Sequence, residues 1–288
     1  MITIFANPAS GARLGEKTLE IVKEHLTSKN IEFTVLASSH AGEPIEIAKK
    51  YKDQVKKIII IGGDGTFNEF TNGLNDLENY DICFIPGGTG NDFAYSLGIY
   101  DIKKILDKFI NNEVTKVDYL TVNGNKCLNV CGTGLDTEVL QKYNALPKKN
   151  KAGYVKCLIK VLLNFKFYKL KIKVDDEKEI NGEFMLAACC NGKRFGANIH
   201  ISPQSKIDDG LINLVLIKKI KKFTIPFILL GFIKGKHLNK SYAEHIICKK
   251  VEIENASGSM IYNLDGQLFE GDKVCVNICE GKINTIIQ

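Results

Sequence analysis

The 288-residue chain has no C-x-x-C pair among its nine cysteines and no two of its five histidines at metal-ligand spacing. A zinc centre is therefore not expected. The cysteines, Cys83, Cys127, Cys131, Cys157, Cys189, Cys190, Cys248, Cys275 and Cys279, sit in apolar, strand-like surroundings. Their odd number without a signal peptide reads as reduced core residues of a cytoplasmic protein. A strand-like segment, 2–5, opens the chain and leaves no room for a targeting segment. The longest apolar stretch, 223–233, is broken by Pro226 and Gly231 and is too short to span a bilayer. Any membrane contact is expected to be peripheral, at the inner face. No internal repeat, low-complexity tract or Pro- or Ser-rich linker is present.

What is present is an ordinary globular composition with a basic balance. The net charge is +6, and the lysines cluster in the second half: Lys148, Lys149 and Lys151; Lys166, Lys169, Lys171 and Lys173; Lys218, Lys219, Lys221 and Lys222; Lys234, Lys236 and Lys240. Such a distribution suits an anionic membrane surface or a solvated lysine-rich face. Nucleic acid is not the expected partner, because the clusters lack an interleaved aromatic platform.

Two glycine-acid loops dominate the first third, Gly62-Gly63-Asp64-Gly65-Thr66 and Gly87-Gly88-Thr89-Gly90-Asn91-Asp92. Each follows a buried strand-like run, 58–61 and 82–85, and each precedes a helix-compatible stretch. A right-handed crossover makes the strands parallel and brings both loops to one sheet edge, where α/β folds place ligands. Glycines let backbone N–H groups approach phosphate oxygens, and Thr66 and Thr89 add hydroxyls. Asp64 and Asp92 would repel a bare polyphosphate. They make sense with a divalent cation, or a hydroxyl to be deprotonated, between them. The loops match neither a Walker A sequence nor a Rossmann fingerprint.

Around these loops, segments 2–5 and 33–36 read as strands. Leu14, Leu19, Val22 and Leu26 mark a helix face, and further helices are expected near Glu43-Pro44 and over 102–110. This is a doubly wound α/β layer. From near Val114, short alternating segments with turns such as Asn123-Gly124, Asn181-Gly182 and Asp265-Gly266 read as an antiparallel β domain, with helical stretches at 154–164 and 223–231. The expected domains are 1–118, with 277–288 a candidate to rejoin it, and 119–276; the loop-bearing edge is expected to wall an interdomain cleft. In 154–170 lysines interleave with apolar residues, and this stretch, like 223–233, is expected to pack on its own domain rather than on lipid.

Asn7-Pro8-Ala9-Ser10-Gly11, the two loops, Asp118-Tyr119, Asn191-Gly192, Phe195-Gly196, Pro203, Asp209-Gly210 and Asn263-Leu264-Asp265-Gly266 resemble, in order, the motifs of the diacylglycerol kinase catalytic family. The first loop alone also resembles NAD kinases. The resemblance implies an α/β N-terminal domain of the NAD-kinase and phosphofructokinase kind, followed by a mainly antiparallel β domain. It implies an ATP site with Asn7, Ser10, Ser38, Gly62, Gly63, Asp64, Gly65, Thr66, Phe67, Asn68 and Thr89 at the nucleotide. It further implies a catalytic Mg²⁺ held by Asp64, Asp92 and Asp118, and a structural Mg²⁺ held by the Lys206 and Leu211 carbonyls and the Asp209 carboxylate.

Two positions depart from the family pattern. Gln267 stands where many relatives place the glutamate that accepts the lipid hydroxyl's proton, and an amide cannot act as that base. Tyr95 stands where an arginine is frequent. Asp64, Asp265 or Glu270 are then the candidate bases, with Asp64, Asp92, Asp265 and Gln267 as the catalytic set. The expected activity is ATP-dependent phosphorylation of a membrane lipid, diacylglycerol first, at an anionic membrane surface. A homodimer is one candidate assembly. The alternatives are a nucleotide-binding regulator of the same fold and a kinase of another acceptor, such as a sphingoid base, undecaprenol or NAD.

Overall fold

A computed structural model describes residues 1–40, 42–147, 151–196 and 199–288. Ala41 of the turn before the second helix, and Lys148 and Lys149 of the first lysine cluster, lie outside the described residues. The chain divides into two compact units. The first comprises Met1–Tyr119, Lys206–Gly210 and Cys279–Gln288, and the second Leu120–Ser205 and Leu211–Ile278. Lys206–Gly210, read from sequence as part of the second domain, thus belongs to the first unit.

The first unit alternates strand and helix: β1 (Ile2–Ala6), α1 (Ser10–Ser28), β2 (Phe33–Ala37), α2 (Glu43–Tyr51), β3 (Lys57–Gly62), α3 (Asp64–Gly73), β4 (Asp81–Pro86), α4 (Asp92–Ser96) and α5 (Ile102–Ile110). The strands are parallel in the order β4-β3-β1-β2, and Asn284 and Thr285 near the C-terminus add alongside β4. From β1 the chain moves one way to β2 and then back past β1 to β3. Right-handed crossovers therefore put α1 and α2 on opposite faces of the sheet. The helices pair accordingly, α1 with α5 and α2 with α3. Strand β3 is fully buried along its isoleucines, as a sheet covered on both faces requires.

Helix α1 begins at Ser10, and its Leu19, Val22 and Leu26 are buried as expected, whereas Leu14 is exposed. Helix α5 has the clearest local logic. The Asp101 carboxylate accepts from the Lys103 and Lys104 amides, and Ile105, Leu106 and Phe109 form its buried stripe.

The second unit carries β5 (Thr115–Val122, which begins in the first), β6 (Asn125–Cys127), β7 (Val130–Gly134), α6 (Leu135–Asn144), α7 (Lys151–Asn164), β8 (Tyr168–Val174), β9 (Lys178–Cys190), β10 (Ile212–Lys218), α8 (Ile225–Ile233), β11 (Ala243–Cys248), β12 (Lys250–Asn255), β13 (Met260–Leu264), β14 (Gln267–Gly271) and β15 (Lys273–Thr285, which ends in the first). Its pairings β14-β13-β7-β9-β8-β12-β15, with β10 and β11 branching from β9, are antiparallel. Strand alternation separates two cores. Ala187, Cys189, Leu214 and Leu216 face one, and Leu186, Ala188, Cys190, Val215 and Ile217 face the other, which also holds buried residues of α6, α7 and α8. Helix α7 covers the first helical stretch read from sequence, and α8 covers the second from residue 225, residues 223 and 224 lying in a 3-10 turn before it. Helix α6 was not expected.

None of the nine cysteines is bridged, and seven are buried. Burial pushes the Cys83 and Cys127 thiols well up from their ordinary range.

Candidate functional site

The first unit's site is built from three strand-to-helix turns at one sheet edge. The turn after β1 is bound to the other two. The Asn7 Nδ2 donates to Thr66 Oγ1 at 3.2 Å, and the Ser10 hydroxyl sits 2.8 Å from the Asn7 carbonyl and 2.9 Å from that of Gly87. The loops after β3 and β4 touch through backbone. A Cβ on Gly88 would lie 2.5 Å from the Gly63 Cα, so no side chain fits there. Part of the glycine signal thus reflects loop-on-loop packing rather than space for a phosphate.

Asn91 closes the second loop. It sits at φ 54° and exchanges hydrogen bonds with the Gly88 backbone, accepting from N–H at 3.0 Å and donating to the carbonyl at 2.8 Å. Behind the loops, Phe67 of α3, Phe84 of β4 and Phe93 of α4 form an edge-on ladder with centroids 5.1 Å apart at each step. All three are fully or almost fully buried, each contributing about 2–3 kcal/mol by burial. Phe67 is therefore a core residue. Its N–H is also spent, on the Gly63 carbonyl at 3.0 Å, and the expectation that it meets the nucleotide is corrected.

The two acidic residues of the loops come together. Asp64 Oδ1 accepts from the Phe93 amide at 3.0 Å, fastening the first loop to the start of α4. A Cβ on Gly90 would stand 3.0 Å from Asp64 Oδ2 and 3.5 Å from Asp92 Oδ2. Both carboxylates thus flank the methyl-sized position that a Cβ at Gly90 would take, which the glycine leaves open. Two oxygens around such a space suit a hard divalent cation that keeps most of its waters. Thr89 is exposed beside it, and Ser38 is buried with its hydroxyl 3.5 Å from the Ala6 carbonyl. Tyr95, at the frequent arginine position, is half-buried and packs edge-on against Tyr100 with centroids 6.4 Å apart.

Asp118 does not complete a three-carboxylate cluster. Among the described residues no group of three or more His, Cys, Asp or Glu side chains could hold a metal ion. Asp118 is buried, and its two oxygens accept from the Gly210 amide at 2.8 Å and the Gly281 amide at 2.6 Å. Its own N–H donates to the Ile207 carbonyl at 2.7 Å. Burial raises its pKa, against the lowering effect of those two amides, and the neighbouring Asp209 and Glu280 add to the rise. Asp118 is thus the clamp that holds turn 206–210 against residue 281. Lys206, Asp209 and Leu211 lie in and just after that turn; Lys206 and Asp209 are exposed, Leu211 is half-buried, and Asp209 acts on Asp118 through charge.

The second unit contains the other sequence-selected residues. Asp265 and Gly266, at φ 49° and 91°, make the two-residue turn between β13 and β14. The Asp265 carboxylate accepts from the Leu128, Asn129 and Val130 amides at 2.7, 2.9 and 3.1 Å. It is a backbone anchor with its acceptor capacity committed, which corrects its place among the candidate bases. Gln267 opens β14 opposite Leu264, half-buried. Glu270 is exposed and accepts from the Ser259 hydroxyl at 2.8 Å.

Sequence reasoning missed Asp136. It lies in the first turn of α6, its Oδ2 accepts from Asn263 Nδ2 at 2.5 Å, and its Oδ1 is buried without a hydrogen-bond partner. Burial pushes its carboxyl up to about 6. It lines an apolar cavity of about 210 Å³ with Tyr154, Leu158, Met185, Phe195 and Phe232. The signal was present, because Gly132-Thr133-Gly134-Leu135-Asp136 repeats the strand, glycine turn, acid and helix order of the first two loops.

A parallel sheet with three glycine turns and paired carboxylates, together with an antiparallel β unit, defines a kinase fold of the diacylglycerol kinase and NAD kinase kind. Residues 1–122 match the diacylglycerol kinase catalytic domain, and residues 129–285 match the YegS C-terminal NAD kinase beta sandwich-like domain. The chain belongs to the diacylglycerol kinase catalytic domain family, a family of lipid kinases. A diacylglycerol kinase of Bacillus subtilis is 32% identical over 274 residues, covering 92% of this chain and 88% of that protein. The structure of a diacylglycerol kinase from Bacillus anthracis superposes with a TM-score of 0.75 at 22% identity, over 100% of this chain and 96% of that one. An NAD kinase from Archaeoglobus fulgidus in complex with ATP superposes at 0.56 with 12% identity, over 100% and 94%. At these identities the two structures establish fold alone.

Proposed function

We propose that the protein transfers the γ-phosphoryl group of ATP to a hydroxyl of a lipid, with diacylglycerol as acceptor and phosphatidic acid as product. The observation that carries this reading is the space at Gly90, flanked by the Asp64 and Asp92 carboxylates and bordered by the two glycine loops. The residues present fit a divalent cation there. Mg²⁺ held by Asp64 and Asp92 would offset the charge of the triphosphate. The remaining work falls to the chain. Backbone N–H groups at the start of α3, which has no side-chain cap, are directed to phosphate oxygens, while Asn7 and Thr66 fix the loop that presents them.

In the transfer the acceptor oxygen forms its bond to the γ-phosphorus as the bond to the β-bridging oxygen breaks, and ADP leaves. The acceptor proton passes to a carboxylate. With Asp265 committed to three amides and position 267 occupied by an amide, Asp64 is the carboxylate best suited to receive it. A loose phosphoryl-transfer transition state makes modest demands on that base. The apolar cavity of the second unit supports an acyl-chain-bearing acceptor, with Asp136 as the carboxylate in its lining.

The test is incubation of the purified protein with labelled ATP, Mg²⁺ and detergent-dispersed diacylglycerol, with NAD as a parallel acceptor. Label in phosphatidic acid and none in the NAD reaction is the expected result. Label in NAD alone would overturn the assignment.

A further inference from the structure

The lysines of this chain are distributed unevenly along the second unit. Residues 139–174 contain ten lysines and residues 210–243 seven, and neither stretch contains a single Asp or Glu. The chain as a whole has 33 acidic residues, so the two stretches concentrate positive charge that the remainder does not share. Each stretch includes one of the helices α7 and α8.

Helix α8 is apolar in sequence throughout, and Phe223 lies in the turn before it. Ile225, Ile228 and Phe232 are buried and pack into the core beneath. Phe223, Phe227 and Ile233 point outward, with 72%, 73% and 52% of their surface exposed. The sequence expectation that this stretch packs on its own domain therefore holds for one side only. Exposed Lys221 precedes the outward residues, and exposed Lys234 and Lys236 follow them. Helix α7 repeats the arrangement: Ile159 and Leu163 are 54% and 72% exposed, with exposed Lys156 and Lys160 interspersed. Among the described residues no helix is long and apolar enough to cross a membrane.

We propose that Phe223 and Phe227, with the lysines that bracket α8, form a docking element that inserts into the interfacial layer of an anionic lipid bilayer. Large aromatic side chains four residues apart, with no acidic neighbour along the stretch, match such a layer in both polarity and charge. A solvated lysine face would not expose two phenylalanines, and a protein partner of acidic character would leave them in contact with charge. Phe232 and Ile233 of the same helix line the apolar cavity, so the docked helix would also border the chamber for an acyl chain. This surface assignment does not depend on which acceptor is phosphorylated.

The test is co-sedimentation of the full chain with vesicles of phosphatidylcholine alone and of phosphatidylcholine with phosphatidylglycerol, without ATP. Wild type should bind the anionic vesicles and largely ignore the neutral ones. F223S/F227S should bind the anionic vesicles about tenfold more weakly with an unchanged circular dichroism spectrum. The K221Q/K234Q/K236Q variant should lose the salt-sensitive part of binding. Y100S, which changes an exposed aromatic residue of the first unit, should bind as wild type. Equal binding by F223S/F227S and wild type would overturn the proposal, as would no binding by wild type. A wild-type dimer that F223S/F227S converts to monomer would also overturn it, by showing that a second copy covers the face. Vesicle binding without lipid phosphorylation would instead count against the kinase reading alone.

Discussion

The Asp64 carboxylate accepts a hydrogen bond from the Phe93 amide at 3.0 Å, joining the glycine loop after β3 to the helix that follows β4. One oxygen is thereby used to fix the geometry. The other lies beside the space at Gly90 that Asp92 also borders. Asp64 thus has a positioning contact on one side and, in the proposed reaction, a chemical role on the other, and the two can be separated by substitution.

Asp64→Asn keeps an oxygen able to accept from Phe93 but removes the charge. The melting temperature is expected to stay within a few degrees of wild type, while the phosphorylation rate falls on the order of 100-fold or more. Thermal unfolding alongside the labelled-ATP assay checks both halves.

Gly90→Ala places a methyl group 3.0 Å from Asp64 Oδ2 and 3.5 Å from Asp92 Oδ2. Kinase activity should fall roughly tenfold or more, with little change in stability, because the displaced atoms are those of the reacting centre. Full activity in this variant would show that the space is not used.

Asp265→Ala leaves the Leu128, Asn129 and Val130 amides without their shared acceptor. A loss on the order of 3 kcal/mol in urea unfolding is expected. Gln267→Glu should leave stability and activity near wild type or raise activity. A large loss of activity would assign the amide a role of its own.

The Asp136 carboxyl is raised to about 6 by burial, against an ordinary value of 3.8. The folded state therefore holds this proton more tightly than the unfolded chain does. Its contribution is full below about pH 4 and is lost as pH rises to about 6. Asp136→Asn should be more stable than wild type at pH 7.5 by on the order of 1–3 kcal/mol, with the difference vanishing near pH 4. Denaturant unfolding at the two pH values reads the effect.

The loops could be read from sequence because their signal is local: glycines, acids and flanking apolar runs lie within ten residues of one another. The parallel order followed from the alternation of strand and helix. What escaped depended on contacts remote in sequence. The Asp265 carboxylate meets amides more than 130 residues away, and nothing around Asp265 announces them. Asp118 was grouped with Asp64 and Asp92 as a third carboxylate, whereas amides from residues 210 and 281 occupy it. Phe67 belonged to a motif, yet its three-residue spacing from Phe70 already marked a buried helix face. Asp136 sat in a third turn of the same pattern, overlooked because the surrounding region read as strand.

The most direct measurement is label transfer from ATP to diacylglycerol by wild type and Asp64→Asn, each confirmed folded, in Mg²⁺ and again after chelation. The account predicts labelled phosphatidic acid from wild type with Mg²⁺ and a loss of at least 100-fold on either substitution or chelation. Undiminished labelling by Asp64→Asn would contradict it.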